Sequence, residues 1–460
     1  MAREIHFDVV VIGAGPAGEV CAGRLAQAGL AVALVERELV GGECSYWACM
    51  PSKALLRPAQ LLAEVERVPG AREAVTGRLD VAATLRRRDE VIHALDDASQ
   101  LPWLEQRGVE LVRGHGRLDG ERRVRVGDRL LVAERAVVLA VGSVAALPAL
   151  PGLAEARPWT SREATTAKAA PGRLVVLGGG VVAVELAQAW ATLGSQVTLV
   201  HRSPSLISRE EPFARDQVTA ALRSLGVDVR LSTQVAQVSR SAGEAAVELA
   251  GGEIVRADEV LVAAGRRPHT GDLGLETVGL TPGDPIAVDD HLRAEGAPWL
   301  LAIGDVNGRA PLTHMGKYHA RIAADVILGR DASVRDSGPP PRVIFTDPQV
   351  AATGHTLGSA EAAGLDVRAV DVETSANAGA SFHGRNAPGT CRLVVERRRR
   401  VLVGATFTGP DVADLMHAAT VAIAGAVPLD ALAHAVPAFP TRTEIWLGLL
   451  EQLEAVEPII

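Results

Sequence analysis

Residues 7–36 read FDVVVIGAGPAGEVCAGRLAQAGLAVALVE. The run from Phe7 to Ile12 is a short β-branched stretch suited to a buried strand, and Gly13, Gly15 and Gly18 follow it at GxGxxG spacing. A helix is expected over Glu19 to Ala28 and a second strand over Ala31 to Glu36, completing one βαβ unit of a parallel sheet. A pyrophosphate needs bare backbone N–H groups at a helix N-terminus, so the first two glycines must lack side chains; the third lets the helix approach the strand. Glu36 stands 21 residues after Gly15, where a carboxylate accepts from ribose hydroxyls. Strand, turn, helix and acid together read as a dinucleotide site rather than an ordinary glycine turn.

The pattern returns from Arg173: a strand RLVVL, the turn GGGVVA, a helix expected over Val184 to Leu193, and a strand QVTLV. Here Gly178 and Gly180 carry the motif and Ala183 fills its third place. The position 21 residues after Gly180 is His201, so no carboxylate stands where Glu36 stood. An acid there would repel a 2′-phosphate, whereas His201, Arg202 and Arg209 can neutralise one. NADPH is therefore expected in preference to NADH, the plainer alternative being that these are surface residues at a strand end.

Composition frames these motifs. A chain of 460 residues exceeds one ordinary core, and at roughly 150 residues per domain about three are expected. A formal net charge of −8 argues against a nucleic-acid or anionic-membrane surface. The runs Arg86 to Arg88 and Arg397 to Arg400 read as a solvated helix face and a hairpin tip, the latter between strand-like runs 391–396 and 401–408. No cleavable signal precedes the first strand and no stretch of 18 residues is uniformly apolar, so a cytoplasmic protein with no membrane partner is expected. A helical stretch is expected over about 52–106, a boundary at 148–152, and an α+β domain from Val343 to the end.

Four cysteines occur, at 21, 44, 49 and 391, too few for a disulfide framework. Two lie in GGECSYWACMPSK, residues 41–53. Thiols five apart can meet if the first turn of a helix carries both, and Pro51 is tolerated in such a turn. A helix N-terminus and the nearby Lys53 would lower a thiolate pKa, which suits a redox pair. Inert buried thiols are the plainer alternative. No metal site is expected, because zinc usually takes four ligands and Cys21 and Cys391 have no companions.

These motifs, in this order, resemble the flavoprotein disulfide reductases, the family of lipoamide dehydrogenase, glutathione reductase and mercuric reductase. LAVGS at 139–143 and AIGDV at 302–306 resemble the family's further FAD segments, and VIFTDPQVAATG at 343–354 the start of its interface domain. The resemblance implies an α/β fold of two Rossmann-like dinucleotide-binding domains plus a C-terminal α+β dimerisation domain, in a homodimer. Residues 1–150 and 269–337 would form the FAD-binding domain, 151–268 the NAD(P)-binding domain and 338–460 the interface. It further implies that Asp305 binds the ribityl chain of FAD and that Lys53 and Glu185 pair beside the flavin. Cys49 would face the flavin and Cys44 the substrate. Gly142, Gly265 and Gly304 join the expected cofactor-binding residues. Val181 sits where some relatives carry a gating tyrosine.

The departure comes near the C-terminus. Relatives that reduce disulfides carry His-Pro-Thr-x-x-Glu, the histidine shuttling protons for the outer thiol of the partner subunit and the glutamate orienting it. Here Phe439 replaces the histidine ahead of Pro440, Thr441 and Glu444. Phenylalanine takes no proton; His434, five places earlier, reads as a structural residue, a substitute base being the alternative. The terminal LEAVEPII also lacks the cysteine pair with which mercuric reductase collects its metal, so mercury is not expected as substrate. The expectation is an NAD(P)H oxidoreductase passing electrons through FAD to Cys44 and Cys49 and on to a small-molecule acceptor, an unusual disulfide or, directly from flavin, a quinone. A redox-sensing flavoprotein is the reading from another class.

Overall fold

The computed structural model describes residues 3–336, 338–384, 387 and 389–456. Residue 337, the expected end of the second FAD segment, and residues 457–460, the expected end of the interface domain, lie outside the described residues. The chain divides into two compact units. The first is Met1–Pro51, Arg86–Ala146 and Gly265–Asp336; the second is Ser52–Leu85, Leu147–Ala264 and Ser337–Ile460. Residues 52–85, read from sequence as part of the first FAD segment, thus fall in the second unit.

In the first unit the strand Arg3–Ile12 is central. It pairs in parallel with Val32–Glu36 on one side and Arg129–Leu139 on the other, and Val109–Arg113 and Ala297–Ala302 extend the sheet outward. Alternate residues feed two apolar clusters: Val9, Val11 and Leu34 one, and Val10, Ile12, Ala33 and Val35 the other. Burial on both faces is why the sequence shows an unbroken apolar run rather than alternation. The helix Pro16–Gln27 starts three residues earlier than expected, because Pro16 suits a first turn whose N–H groups have no helical partner. The helix Thr313–Ile327 shares its cluster through Ala320, Ala323 and Ala324, side chains small enough for close packing.

The second unit carries a parallel sheet in the order Asp228–Arg230, Gln196–Val200, Arg173–Leu177, Glu259–Val262. It also has an antiparallel ribbon over 235–257 and an antiparallel sheet of Arg342–Ile344, Gln349–Gly354, Val401–Gly409, Thr390–Glu396 and Val367–Glu373. The short helix Leu357–Ala362 interrupts that last series of strands; Met416–Ala424 and Ile445–Glu454 share its core, where Phe407 meets Trp446 with ring centroids 5.7 Å apart. Arg397 to Arg400 form the tip between Thr390–Glu396 and Val401–Gly409.

Two expectations need correction. The helical stretch over 52–106 is broken into Cys49–Glu66, Val81–Val91 and Leu101–Gln106, because Pro69, Gly70 and Gly77 favour turns between the first two. Arg86 and Arg87 are exposed, but Arg88 points inward and is fully buried, its Nε donating to Asp89 at 2.9 Å. Three consecutive helical residues span too much of a turn to share one face.

Trp190 is the largest fully buried side chain and lies in the second unit's main cluster with Leu174, Val176 and Leu199. Trp190→Ala is expected to cost about 3–5 kcal/mol, read as a lower urea midpoint by far-ultraviolet circular dichroism.

Candidate active site

The first glycine motif leaves an open cradle at the start of a helix. Gly13 has φ +101°, and a Cβ there would lie 2.5 Å from the carbonyl oxygen of Ala140. At Gly18 a Cβ would come within 1.9 Å of the carbonyl oxygen of Gly13, so only a glycine lets the helix start so close to the strand. Gly15, by contrast, has open space where a Cβ would point. It caps the helix Pro16–Gln27 with extended backbone, leaving the first-turn N–H groups facing that space. Glu36 is nearly buried, and its carboxylate accepts from the N–H of Ala14 at 2.8 Å and of Glu38 at 2.6 Å. Both oxygens are thereby fixed while keeping lone pairs for hydroxyl donors. Asp305 is oriented by Ser143, whose hydroxyl donates to it at 2.5 Å, and Arg266 donates in turn to Ser143 Oγ at 2.8 Å. Gly142 and Gly304 take positive φ on either side of that contact, and Gly265 does so next to Arg266. These residues fit an FAD: an open helix N-terminus for the pyrophosphate, an anchored acid for a ribose and a second for a polyol chain.

The stretch 41–53 folds back onto this cradle. Gly41 and Gly42 have φ +109° and +60°, and a Cβ on Gly42 would lie 2.7 Å from the Cα of Gly15. That doublet was not singled out from sequence, although two glycines ahead of the cysteines were the signal. The short helix Gly42–Tyr46 carries Cys44, and Cys49 opens the helix Cys49–Glu66. Both are free thiols, half-buried and hydrogen-bonded to each other. That hydrogen bond first, then burial and the charge of Cys49, push the Cys44 thiol up, corrected from the lowered value expected of this pair. Two groups oppose the shift, the hydroxyl of Thr313 and the ammonium of Lys317. Thr313 Oγ1 is also 3.5 Å from Cys49 Sγ. Neither residue was named from sequence; the signal was a helix, THMGK, beginning soon after AIGDV. Among the described residues no three of His, Cys, Asp and Glu group as a metal site, and no helix is long and apolar enough to cross a membrane.

In the second unit Lys53 Nζ donates to Glu185 Oε2 at 2.7 Å and lies 4.8 Å from the centroid of the Phe345 ring. Glu185 is buried on the helix Val181–Thr192, and its other oxygen accepts from the N–H of Phe345 at 2.8 Å. Three residues on, Gln188 accepts from the N–H of Asp347 at 2.9 Å. Gly178 has φ +143° and would meet the carbonyl oxygen of Ala263 at 2.2 Å if it carried a Cβ; Gly180 faces open space at the helix start. The ring of His201 lies over Gly179, 2.5 Å from where a Cβ would stand. Burial and then Arg202 hold its pKa below the usual value, so at neutral pH it carries no charge. Arg202 is exposed, and Val181 is 43% exposed.

Near the C-terminus Glu444 accepts from the N–H of Gly379 at 3.1 Å, Phe439 is 76% exposed and His434 is exposed.

Residues 7–320 match the family model of the pyridine nucleotide-disulphide oxidoreductases, and residues 340–448 match that family's dimerisation domain. The chain belongs to the pyridine nucleotide-disulphide oxidoreductases. This FAD-dependent enzyme, which draws on NAD(P)H, is 33% identical over 454 residues to a mercuric reductase of Acidithiobacillus ferrooxidans, covering 96% of this chain and 81% of that one. It is 35% identical to dihydrolipoyl dehydrogenase 3 of Pseudomonas aeruginosa, covering 95% and 96%. Among solved structures it resembles the copper(II) complex of the HOCl-induced flavoprotein disulfide reductase RclA from Escherichia coli, with TM-score 0.86, 25% identity, and coverage of 97% of this chain and 99% of that one. The oxidoreductase thus has the α/β fold of two Rossmann-like dinucleotide-binding domains plus a C-terminal α+β dimerisation domain.

Because Glu185 is buried, Lys53→Met leaves its carboxylate unpaired and should cost about 3 kcal/mol. Lys53→Met with Glu185→Gln, which removes the charge but keeps an acceptor for Phe345, is expected to recover part of that loss in urea unfolding.

Proposed function

We propose that this oxidoreductase is a homodimeric, NADPH-preferring reductase in which Cys44 and Cys49 relay electrons to a small-molecule acceptor. The observation that carries the reading is the pair of free, half-buried thiols on adjoining helices, Cys49 Sγ 3.5 Å from Thr313 Oγ1, in the unit that holds the first glycine motif. FAD, when bound, supplies two-electron chemistry between a nicotinamide and a dithiol. The chain's own residues do the rest. Gly13, Gly15 and Gly18 bring backbone N–H groups to the diphosphate, Glu36 accepts from ribose hydroxyls, and Asp305, steadied by Ser143, accepts from the ribityl chain. Gly142, Gly265 and Gly304 let the flanking loops turn without side chains. Lys53 holds its ammonium in place against Glu185. Cys49 is the inner thiol and Cys44 the outer one that meets the acceptor.

On the nucleotide side Gly178 and Gly180 receive the second diphosphate. With His201 neutral, Arg202 is the group that meets a 2′-phosphate. Arg202→Glu is expected to raise KM for NADPH roughly 10- to 100-fold, the worth of a charged hydrogen bond, with little change for NADH. Equal effects on both nucleotides would remove the assigned preference.

Phe439 favours a second reading of the acceptor step. With no imidazole at that position, even with Glu444 in place to orient one, a quinone reduced directly is the alternative to an unusual disulfide. An anaerobic NADPH titration separates them. The dithiol reading expects a long-wavelength thiolate-to-flavin band with the first two electrons, before the flavin bleaches, and loss of turnover in Cys44→Ser. Immediate bleaching without the band, with turnover retained in that variant, would favour the quinone.

A further inference from the structure

The helix Thr313–Ile327 carries a buried ionisable ring that the flavin site described above does not use. His319 is fully buried, and its Nδ1 lies 3.4 Å from the backbone nitrogen of Gly304 and 3.5 Å from Nδ2 of Asn307. Both neighbours are donors. The N–H of Gly304 can only donate. Asn307 Oδ1 accepts from the N–H of Arg309 at 3.0 Å, which leaves Nδ2 as the amino group that donates to the carbonyl of Ala302, also at 3.0 Å. Nδ1 therefore presents its lone pair, and the hydrogen of the neutral ring sits on Nε2. Nε2 lies 3.5 Å from Oδ2 of Asp336, a nearly buried acid that Arg309 grips through both oxygens at 2.9 and 2.6 Å. Nε2 has no hydrogen-bond partner among the described residues, so Asp336 orients the ring by its charge across that gap.

We propose that His319 is a positioning residue of the flavin site: through Nδ1 it fixes the N–H of Gly304, and with it the turn Gly304–Asn307 that presents Asp305 to the ribityl chain. The proposal rests on the reading of Asp305 as a ligand of FAD. The strand before the turn is tied to its neighbour up to Ile303, whose N–H donates to the carbonyl of Leu139 at 2.9 Å. Gly304 comes next, buried and at φ +74°, and the imidazole is the acceptor that its N–H meets on leaving the sheet. The turn then closes with the N–H of Gly308 on the carbonyl of Asp305 at 3.1 Å. Ser143 holds the carboxylate of Asp305 at 2.5 Å, and His319 holds the backbone one residue before it. An apolar side chain at 319 would leave the buried Gly304 N–H unpaired, a cost that a shift of the turn relieves only by moving Asp305.

Protonation would undo the arrangement. A hydrogen on Nδ1 would face the N–H of Gly304 and the amino group of Asn307, so the charged ring fits only an opened turn. The charged groups facing the ring are Asp336 and Arg309, and Arg309 also reaches Asp290 at 3.1 Å. The helix bearing His319 also carries His314, Lys317, Arg321 and Asp325. The helix Pro16–Gln27, which shares its apolar cluster, carries Glu19 and Arg24, the latter taken up by Asp325 at 3.4 Å. Burial foremost, opposed by Asp336, holds the ring below the usual imidazole value, so it is neutral at pH 7. The ring takes a proton more readily with the turn open than with it closed. FAD is therefore held in full above about pH 6.5, the ordinary imidazole value, and progressively less as the pH falls below it.

The test follows release of FAD from the diluted holoenzyme as the rise in free-flavin fluorescence from pH 5 to 8, with thermal unfolding by circular dichroism to check the fold. His319→Leu fills similar space without an acceptor and is expected to speed release roughly tenfold at pH 8, the worth of one buried hydrogen bond. His319→Asn, whose amide oxygen can stand where Nδ1 stands, is expected to match wild type at pH 8. Wild type should release FAD faster at pH 5.5 than at pH 8, and His319→Asn should not, because an amide takes no proton. Asp305→Ala is expected to speed release as well, and His319→Leu to add little on top of it, since the two act through one contact. Equal rates for wild type and His319→Leu would overturn the proposal, as would full multiplication of the two effects in the double variant. An acid limb shared by wild type and His319→Asn would overturn the titration of the ring. Unchanged release from Asp305→Ala would instead overturn the reading of Asp305 beneath it. Should His319→Leu fail to fold, the comparison of wild type with His319→Asn decides alone.

Discussion

The close approach of backbone to backbone around the first turn of the helix Pro16–Gln27 is the constraint on which the first unit depends. Gly18 sits against the carbonyl of Gly13, Gly42 against Gly15, and Gly304 and Gly316 against each other and Ala17. Each contact brings a different element to one point: the first strand, the cysteine-bearing turn, the AIGDV turn and the helix of Thr313. A single Cβ at Gly18 or Gly42 would separate elements that must meet within a few ångströms, at a cost no surface adjustment could relieve. The positions of the thiols and of Thr313 follow from that convergence.

Much of this was legible because it is local. A strand, a glycine turn, a helix and a distal acid lie within thirty residues, and the backbone chemistry that selects them acts over the same span. The cysteine pair was legible for the same reason. Thr313 was not, because it reaches Cys49 from 264 residues away, and nothing in the spacing of THMGK announces which neighbour it will meet. Arg88 was misread because a run of like charges suggests solvent, whereas helical geometry turns one residue in three inward. The break after Glu66 was visible in Pro69, Gly70 and Gly77 but was outweighed by the apolar content on either side.

The two dinucleotide motifs share a backbone and differ at the end of their second strand. Glu36 is locked by two N–H groups, so the first site presents a fixed anion. His201 lies over Gly179 and is kept neutral, which leaves the second site's charge to the exposed Arg202. The same fold thus ends one second strand in a locked carboxylate and the other in a neutral imidazole beside an exposed arginine.

The helix Val181–Thr192 begins at the second glycine turn and, one to two turns later, holds the backbone of residues 345 and 347 through Glu185 and Gln188. Side-chain acceptors on a rigid rod gripping two amides of one loop act as a pair of rivets. The same loop carries Phe345, whose ring centroid lies 4.8 Å from the ammonium of Lys53. Residues 345–347 therefore take their position from a helix more than 150 residues earlier in the chain.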